Sequence, residues 1–182
     1  MRYDPFNHNR RSTRLRGYDY SRTGTYFVTM CTNGRECLFG EIDNEEMRLN
    51  QLGKIVVEEW LKTKEIRPSV KLDEFVVMPN HVHAILKIKA TPVGATRRVA
   101  PTKTNPGPRL EPGSLGAIIG QFKSISAKRI NNAGGIPGCP VWQRNFHDHI
   151  IRNEDDMERI RKYIRENPRN WPGDDENPQG NR

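Results

Sequence analysis

The fold is decided by residues 71–89, which read KLDEFVVMPNHVHAILKIK. Two runs of aliphatic and β-branched residues flank Pro79-Asn80, a dipeptide that favours a turn. The pattern predicts two strands, 71–78 and 81–89, paired as a β-hairpin. Side chains of a strand alternate between its two faces, so the second strand has an apolar face and a face with two histidines. The apolar face carries Val82, Ala84, Leu86 and Ile88, and the other carries His81, His83, Ile85 and Lys87. We expect helices to cover the first face and a ligand to meet the second.

The segments around this hairpin predict one further strand and two helices. Residues 25–32 are rich in β-branched and aromatic side chains and predict a strand that ends at the turn Asn33-Gly34. Apolar residues at helical spacing predict helices over residues 50–64 and 114–130, the second beginning at the N-cap Ser114.

The C-terminal part predicts a fourth strand, residues 141–151, and a last helix. That helix begins at the N-cap Asn153 and is expected to end near Glu166, before Pro168. The order β-α-β-β-α-β followed by a helix is that of a ferredoxin-like α+β fold. We expect an antiparallel sheet with two helices on one face, and the last helix can close over the other. RNA-recognition domains share this layout, so the fold class does not by itself define a function.

The length of 182 residues predicts one domain with less ordered ends. We assign residues 1–17 to a basic N-terminal arm and residues 18–171 to a single domain. Residues 172–182 are polar and acidic and predict a disordered tail. Residues 90–113 are rich in proline, glycine and cations, which predicts a flexible basic loop inside the domain.

Charge and cysteine usage limit the possible partners and compartments. The net charge of +8 and the pI of about 9.6 predict a polyanionic partner, with nucleic acid first and an anionic membrane surface second. A solvated basic surface is the alternative. The cysteines are odd in number and form no C-x-x-C pair, which predicts reduced thiols. No run reaches the roughly 18 apolar residues of a membrane span. We therefore expect a soluble cytoplasmic protein without a membrane anchor.

His81 and His83 form the first candidate site. Separated by one valine on a strand, they point to the same face, where two imidazoles can reach one divalent ion. An ordinary pair of surface or buried histidines is the alternative. The pair lies just after a turn, on the face of the sheet that the helices are not expected to cover, and this position favours a metal site. Two imidazoles do not complete such a site, so a third ligand must come from elsewhere in the chain.

Tyr163 and Asn167 on the last helix form the second candidate unit. They lie one turn apart on the same face. A buried tyrosine in an apolar stripe is the alternative, but such a stripe would favour an apolar residue in place of Asn167. An amide oxygen can ligate Mg²⁺ or Mn²⁺, so Asn167 is the predicted third ligand. Tyr163 is the predicted nucleophile, which would attack a phosphodiester and hold the product covalently.

His147 and His149 form a second H-x-H pair. In the usual strand order of a ferredoxin-like sheet, 4-1-3-2, the fourth strand lies two steps from the third. At about 4.8 Å per step, the two pairs would be roughly 10 Å apart and would not share an ion. We therefore interpret this pair as structural, DNA-facing or, for His149, as an outer-sphere partner of the metal site.

Basic and aromatic residues supply candidate nucleic-acid contacts. Phosphate contacts are predicted for cations of the arm, the second helix, the fourth strand and the last helix: Arg14, Arg16, Lys123, Lys128, Arg144 and Arg165. Tyr18, Trp142 and Phe146 could stack on unpaired bases. The alternatives are ordinary solvated charges and buried aromatic side chains.

Together these motifs resemble the REP-associated tyrosine transposases, which belong to the HUH single-strand endonucleases. The resemblance covers about residues 12–171. The motifs that carry it are RLRGYDY at 14–20, GTYFVT at 24–29, VMPNHVH at 77–83, FKS at 122–124, VWQR at 141–144 and YIRENP at 163–168. The combination of Met-Pro-Asn-His-Val-His with a downstream Tyr-Ile-x-x-Asn-Pro is highly specific.

The resemblance implies a ferredoxin-like domain that binds single-stranded DNA, often beside a hairpin. It implies Mg²⁺ or Mn²⁺ at His81 and His83, cleavage by Tyr163 and a 5′-phosphotyrosine intermediate that allows strands to be rejoined. Related insertion-sequence transposases have a glutamine where this chain has Asn167. Those relatives are dimers, whereas the REP-associated branch can work as monomers, so a homodimer is possible here.

Three functions remain in competition at this point. The first is a metal-dependent tyrosine endonuclease and strand transferase acting on single-stranded DNA. The second is a domesticated transposase that binds a DNA or RNA hairpin without cutting it. The third is a metal-dependent phosphoesterase that uses water, with Tyr163 in a structural role.

Overall fold

The computed structural model describes residues 18–89 and 111–180. The arm 1–17, with the predicted contacts Arg14 and Arg16, lies outside the described residues. The same is true of most of the predicted loop 90–113 and of the last two residues of the predicted tail.

Strands and helices alternate along the described chain much as the periodicity predicts. In chain order the elements are β1 (Gly24–Cys31), β2 (Gly40–Asp43), β3 (Glu46–Leu49), α1 (Gln51–Ile66), β4 (Val70–Val77), β5 (His81–Ile88), α2 (Leu115–Gly134), β6 (His147–Ile151) and α3 (Glu154–Asn170). Asn50, Ser114 and Asn153 cap the three helices, each accepting a hydrogen bond from a backbone N–H of the first turn. The predicted starts of the helices are thereby confirmed.

Four of these strands form one antiparallel sheet in the order β4-β5-β1-β6. If these four strands alone are numbered 1 to 4 along the chain, their order read from β6 to β4 is 4-1-3-2, as predicted. The ferredoxin-like α+β fold is confirmed. The register places Thr29 of β1 opposite His83 on one side and opposite His147 on the other. The sheet therefore carries both predicted histidine pairs on the same face.

Each face of the sheet has its own core. One face, with Val82, Ala84 and Leu86 of β5, packs on the apolar sides of α1 and α2 around Trp60 and Phe122. The other face packs on α3, where Ile160 and Ile164 bury Ile85. The alternation along β5 thus separates the core covered by α1 and α2 from the face on which the histidines and α3 lie, as predicted.

The structure departs from the predicted elements in the first half of the chain and before β6. β2 and β3 form a separate two-stranded hairpin that the sequence analysis does not predict, because its strands are short and largely polar. Its turn residues Asn44 and Glu45 have φ of 51° and 64°, the left-handed pair that suits a two-residue hairpin. β6 begins at His147, and the carbonyls of Gln143 and Asn145 before it accept hydrogen bonds from Lys123.

The prediction that the last helix ends before Pro168 is wrong, because α3 continues through Pro168 to Asn170. A proline this close to the end of a helix removes one hydrogen bond from the last turn. Contacts made by Trp171, just beyond the helix, hold that turn. The ring centroids of Trp171 and His81 are 6.0 Å apart, and the backbone N–H of Trp171 donates to the carbonyl of Pro168.

Across the described residues, no helix combines the length and apolarity needed to cross a membrane. The three cysteines are unpaired; Cys31 is buried, and Cys37 and Cys139 are exposed.

Candidate metal and nucleophile site

His81 and His83 lie side by side at the start of β5, with ring centroids 4.4 Å apart. Both are buried. The Nδ1–H of His81 donates to Oδ1 of Asn80 over 2.8 Å, and Nδ1 of His83 lies 2.9 Å from the hydroxyl of Thr29. The Asn80 amide is itself oriented, because its Nδ2 donates to two backbone carbonyls. Hydrogen bonds at Nδ1 thus leave the Nε2 atom of each ring for a ligand.

Both rings are suited to bind a cation because they are neutral. Burial lowers the pKa of His83 well below its ordinary value, and the neighbouring His81 adds to the effect. Burial also lowers the pKa of His81, against the opposing charges of Asp174 and Glu176. Since the neutral imidazole is the form that binds metals, both rings are in the binding-competent state near neutral pH.

Asp174 completes a group of three possible metal ligands. One ligand atom from each of His81, His83 and Asp174 lies within 4.8 Å of the others. In addition, His81 Nε2 and Asn167 Oδ1 are buried without a hydrogen-bond partner among the described residues. Buried acceptors without a partner are rare and are commonly explained by an ion or water. Two imidazole nitrogens, a carboxylate and an amide oxygen form a suitable donor set, so this site can hold a divalent ion.

The segment that supplies Asp174 was predicted to be disordered, and this prediction is wrong for residues 172–180. A short 3₁₀ turn, Trp171–Gly173, follows α3 and reverses the chain. Asp174 then accepts hydrogen bonds from the Glu176 N–H over 2.7 Å and from Asn167 Nδ2 over 3.0 Å. Glu176 also forms an ion pair with Arg35 at 3.1 Å. These contacts hold the acidic segment across the histidines.

Asn167 lies where the predicted third ligand should be, but its partner in the structure is Asp174. It is buried on α3, one turn beyond Tyr163, and its Nδ2 donates to the Asp174 carboxylate. Its free Oδ1 could still reach an ion. Asn167 can therefore act as a ligand, as the group that orients Asp174, or as both.

Tyr163 projects from α3 towards the histidine pair. Its hydroxyl lies 3.2 Å from His83 Nε2, and its ring stands edge-on to Phe27 with centroids 6.1 Å apart. With 43% of its surface exposed, it is not part of the apolar stripe formed by Ile160 and Ile164. Burial, followed by the charge of Asp174, raises the pKa of Tyr163 to about 12. The hydroxyl is therefore protonated at neutral pH and needs activation to act as a nucleophile.

A cavity of about 350 Å³ opens beside the Tyr163 hydroxyl. The sheet contributes Thr29, His83 and His147, α3 contributes Tyr163, Asn167 and Asn170, and the chain after it contributes residues 173–176. This is the space in which a substrate would meet the tyrosine.

The second histidine pair is divided between two environments. His149 Nε2 lies 2.7 Å from Oδ2 of Asp156 in the first turn of α3, so the structure pairs it with that helix rather than with His81 or His83. His147 lines the cavity. Neither belongs to the group of possible metal ligands found within the described residues, in agreement with the separation predicted from strand order.

Most of the predicted nucleic-acid contacts in the described chain lie away from the cavity. Tyr18 packs against Tyr20 and Tyr26 on the side of the sheet that α1 and α2 cover. Lys128 is exposed on α2, and Arg144 is exposed in the loop before β6. Arg165 is engaged with Glu158 at 2.8 Å and Glu74 at 3.2 Å.

Lys123 holds the loop before β6 rather than offering a free charge. Its Nζ donates to the carbonyls of Gln143 over 3.0 Å and of Asn145 over 2.7 Å, and burial lowers its pKa to about 8. We expect Lys123→Met to lower the free energy of unfolding by about 2 kcal/mol, because two carbonyls lose a charged donor. Urea denaturation measures this value.

Lys128→Met is the matched control, since it removes an exposed lysine from the same helix. It should change the free energy of unfolding by less than about 0.5 kcal/mol. Equal effects of the two substitutions would contradict the structural role of Lys123.

Comparison with known proteins identifies the fold through a solved structure and the family through a sequence relative. The structure of a REP-associated tyrosine transposase bound to a REP hairpin has the same fold, with a TM-score of 0.54 and 23% identity over 85% of this chain and 72% of that one. The predicted resemblance is thus confirmed at the level of the fold. The chain matches no family model.

A closer sequence relative comes from Haemophilus influenzae. That protein is 37% identical over 174 residues, which are 95% of this chain and 96% of the relative. The chain belongs to the same family as this protein, whose name, "Uncharacterized protein", states no activity.

Proposed function

We propose that this chain is a metal-dependent endonuclease and strand transferase that cleaves single-stranded DNA beside a hairpin and forms a covalent phosphotyrosine. The observation that carries the proposal is the 3.2 Å contact between the Tyr163 hydroxyl and His83 Nε2, at the mouth of a cavity next to three possible metal ligands. The net charge of +8 and the transposase fold, solved elsewhere with a REP hairpin, support DNA as the substrate.

His81 and His83 through Nε2, together with Asp174, would hold the ion, with Asn167 Oδ1 as a further ligand. At His83 Nε2 the ion would replace the contact with the Tyr163 hydroxyl, which would then lie beside the ion. When bound, Mg²⁺ or Mn²⁺ would polarise the scissile phosphate and stabilise the negative charge that develops on it. The imidazole pair suits Mn²⁺ better than Mg²⁺, because Mg²⁺ prefers oxygen ligands.

The protein's own groups position the nucleophile. Edge-on packing against Phe27 fixes the Tyr163 ring, and the hydrogen bond between Thr29 and His83 fixes the imidazole beneath its hydroxyl. In the reaction the Tyr163 oxygen forms a bond to phosphorus, and the bond from phosphorus to the 3′ oxygen breaks. The phenolic proton passes to solvent water. Once the leaving oxygen has taken up a proton, the products are a 5′-phosphotyrosine and a free 3′-hydroxyl. Attack by another 3′-hydroxyl then breaks the bond between phosphorus and the Tyr163 oxygen and rejoins the strand.

One chain supplies all of these groups, since Tyr163 lies over His83 of the same molecule. The proposed chemistry therefore does not require the possible homodimer.

The direct test is adduct formation. Single-stranded hairpin DNA labelled at its 3′ end is incubated with the protein and Mn²⁺ and run on a denaturing gel. A label that migrates with the protein is the expected result, because the 5′-phosphotyrosine retains the 3′ fragment. Tight hairpin binding without an adduct would favour the non-cleaving alternative, and cleavage without an adduct would favour a water-dependent phosphoesterase.

A cluster of three lysines is the proposed contact for the DNA backbone. Lys71 and Lys87 are directly opposed on β4 and β5, and Lys89 follows β5 on the same face as the histidines. All three are exposed, and none forms a salt bridge within residues 18–89 and 111–180, although the charge of Lys87 helps to lower the pKa of Asp73. The charge of Lys71 lowers the pKa of Lys89, which shows that the ammonium groups repel one another. Opposed like charges destabilise a sheet, and a phosphate backbone would relieve this repulsion.

We expect the variant Lys71→Gln/Lys87→Gln/Lys89→Gln to bind hairpin DNA more weakly and with less dependence on salt. Each lost phosphate contact lowers the slope of log K against log salt by about 0.9, so the slope should fall by up to about 2.7. Fluorescence anisotropy over a salt series measures it. The matched control, Lys54→Gln/Lys64→Gln/Lys128→Gln, removes three exposed lysines from α1 and α2. A similar loss in both variants would mean that net charge, rather than this cluster, determines binding.

A further inference from the structure

The two histidines of β6 face the same side of the sheet but have different surroundings. His149 is hydrogen-bonded to Asp156. His147 is exposed and lines the cavity beside Tyr163, and its imidazole makes no hydrogen bond within the part of the chain that the structure describes. An imidazole without a partner, facing the space where the substrate would bind, is available to contact it.

The register of the sheet places His147 across the cavity from the nucleophile. His147, Thr29 and His83 form a row on three adjacent strands, so His147 and His83 are two strand steps, or about 10 Å, apart. The Tyr163 hydroxyl lies at the His83 end of this row. In a phosphoryl transfer the attacking and leaving oxygens are roughly in line on opposite sides of the phosphorus. A phosphate attacked by Tyr163 would therefore direct its leaving oxygen towards the His147 side.

The other groups that line the cavity are poorly suited to give that oxygen a proton. Asp174, Asp175 and Glu176 accept hydrogen bonds when ionised, and Asn167 and Asn170 carry amides that do not ionise. His83 is engaged by Thr29 and by the Tyr163 hydroxyl. Imidazole is the side chain that exchanges a proton near neutral pH, and His147 is the ring in this cavity with both nitrogens free of partners from the described residues.

We propose that His147 is a catalytic residue that donates a proton to the leaving 3′ oxygen; this rests on the proposed tyrosine chemistry. As the bond between Tyr163 oxygen and phosphorus forms and the bond from phosphorus to the 3′ oxygen breaks, the electron pair of the broken bond stays on that oxygen. The proton of the His147 imidazolium neutralises it, which leaves a 3′-hydroxyl and a neutral imidazole. In rejoining, the same imidazole takes the proton back from the attacking 3′-hydroxyl.

The test uses two substrates that differ in one atom of the scissile linkage. One has the natural 3′ oxygen and the other has a bridging sulfur in its place, because a thiolate leaves without needing a proton. We expect His147→Gln to slow adduct formation on the oxygen substrate by about 100-fold, within the range for general acid catalysis. On the sulfur substrate the same variant should be slowed by less than about 3-fold.

His149→Gln is the matched control, since it changes the same residue type on the same strand and face. It should be slowed by less than about 3-fold on both substrates, in line with an exposed side chain outside the cavity. Thermal unfolding and DNA binding of both variants, measured by circular dichroism and anisotropy, establish that the folded protein is being compared.

Equal slowing of His147→Gln on both substrates would overturn the proposal, because it would show that His147 positions the DNA without transferring a proton. An unchanged rate on the oxygen substrate would overturn it as well. If the wild-type protein forms no adduct with either substrate, the proposed function itself fails, and this outcome is distinct from a defect confined to His147→Gln.

Discussion

Tyr163→Phe is expected to form no detectable covalent adduct with single-stranded hairpin DNA while binding that DNA as tightly as the wild type. The substitution removes one oxygen, the atom that lies 3.2 Å from His83 Nε2. Phenylalanine preserves the edge-on contact with Phe27, and the side chain is already partly exposed, so stability should change little. Loss of a covalent nucleophile costs on the order of 10³-fold or more in rate. Denaturing gels with 3′-labelled DNA measure the adduct, and anisotropy measures binding.

The control for this variant is Tyr18→Phe. It removes a hydroxyl that lies 3.4 Å from the hydroxyl of Tyr26, on the side of the sheet that α1 and α2 cover. It should form the adduct at a rate within about 3-fold of the wild type. If Tyr163→Phe still forms an adduct, another residue is the nucleophile. If Tyr163→Phe cleaves DNA at the wild-type rate without an adduct, the reaction uses water.

Asp174→Asn is expected to weaken Mn²⁺ binding by about 100-fold or more, because even an outer-sphere partner of a metal is worth 10- to 100-fold in affinity. The asparagine preserves the size of the side chain and removes the charge beside His81 and His83. Mn²⁺ binding is followed by electron paramagnetic resonance without DNA, so the result does not depend on activity. Asp175→Asn, which lines the same cavity outside the ligand group, should bind Mn²⁺ within about 3-fold of the wild type.

The role of Asn167 follows from a double-mutant cycle with Asp174. Asn167→Ala removes both the hydrogen bond to the carboxylate and the free amide oxygen. If Asn167 acts by orienting Asp174, the double variant should bind Mn²⁺ no more weakly than Asp174→Asn alone. If it is an independent ligand, the two losses should multiply. Wild-type affinity in Asp174→Asn would contradict a site that includes this carboxylate and would favour Asn167 as the third ligand.

Several features of the site were predictable because they depend on local periodicity. Alternation along a strand places His81 and His83 on one face whatever the rest of the chain does. Helical spacing places Tyr163 and Asn167 together by the same reasoning. The element order predicts the strand order, and the strand order separates His147 from the first pair. Helix caps are equally local, and two of the three, Ser114 and Asn153, were identified from single residues.

Other features depend on contacts between residues far apart in sequence, for which no periodic pattern exists. Lys123 is a cation of the second helix and was predicted to contact phosphate, but its ammonium group is held by the carbonyls of a loop some twenty residues later. The acidic run after Pro172 has the composition of a disordered tail. It is held in place by Asn167, by Arg35, and by the packing of Trp171 on His81.

The sequence by itself therefore determined the ferredoxin-like sheet, the paired histidines and the tyrosine that faces them, because strand and helix geometry encode these faces in short windows. The tertiary structure alone decided that Asp174 joins the histidines, that α3 continues past Pro168, and that His147 enters the cavity while His149 pairs with Asp156. The physical reason is that irregular segments have no intrinsic preference strong enough to place them. A few hydrogen bonds and ring contacts, which form once the sheet and α3 have assembled, determine where they lie.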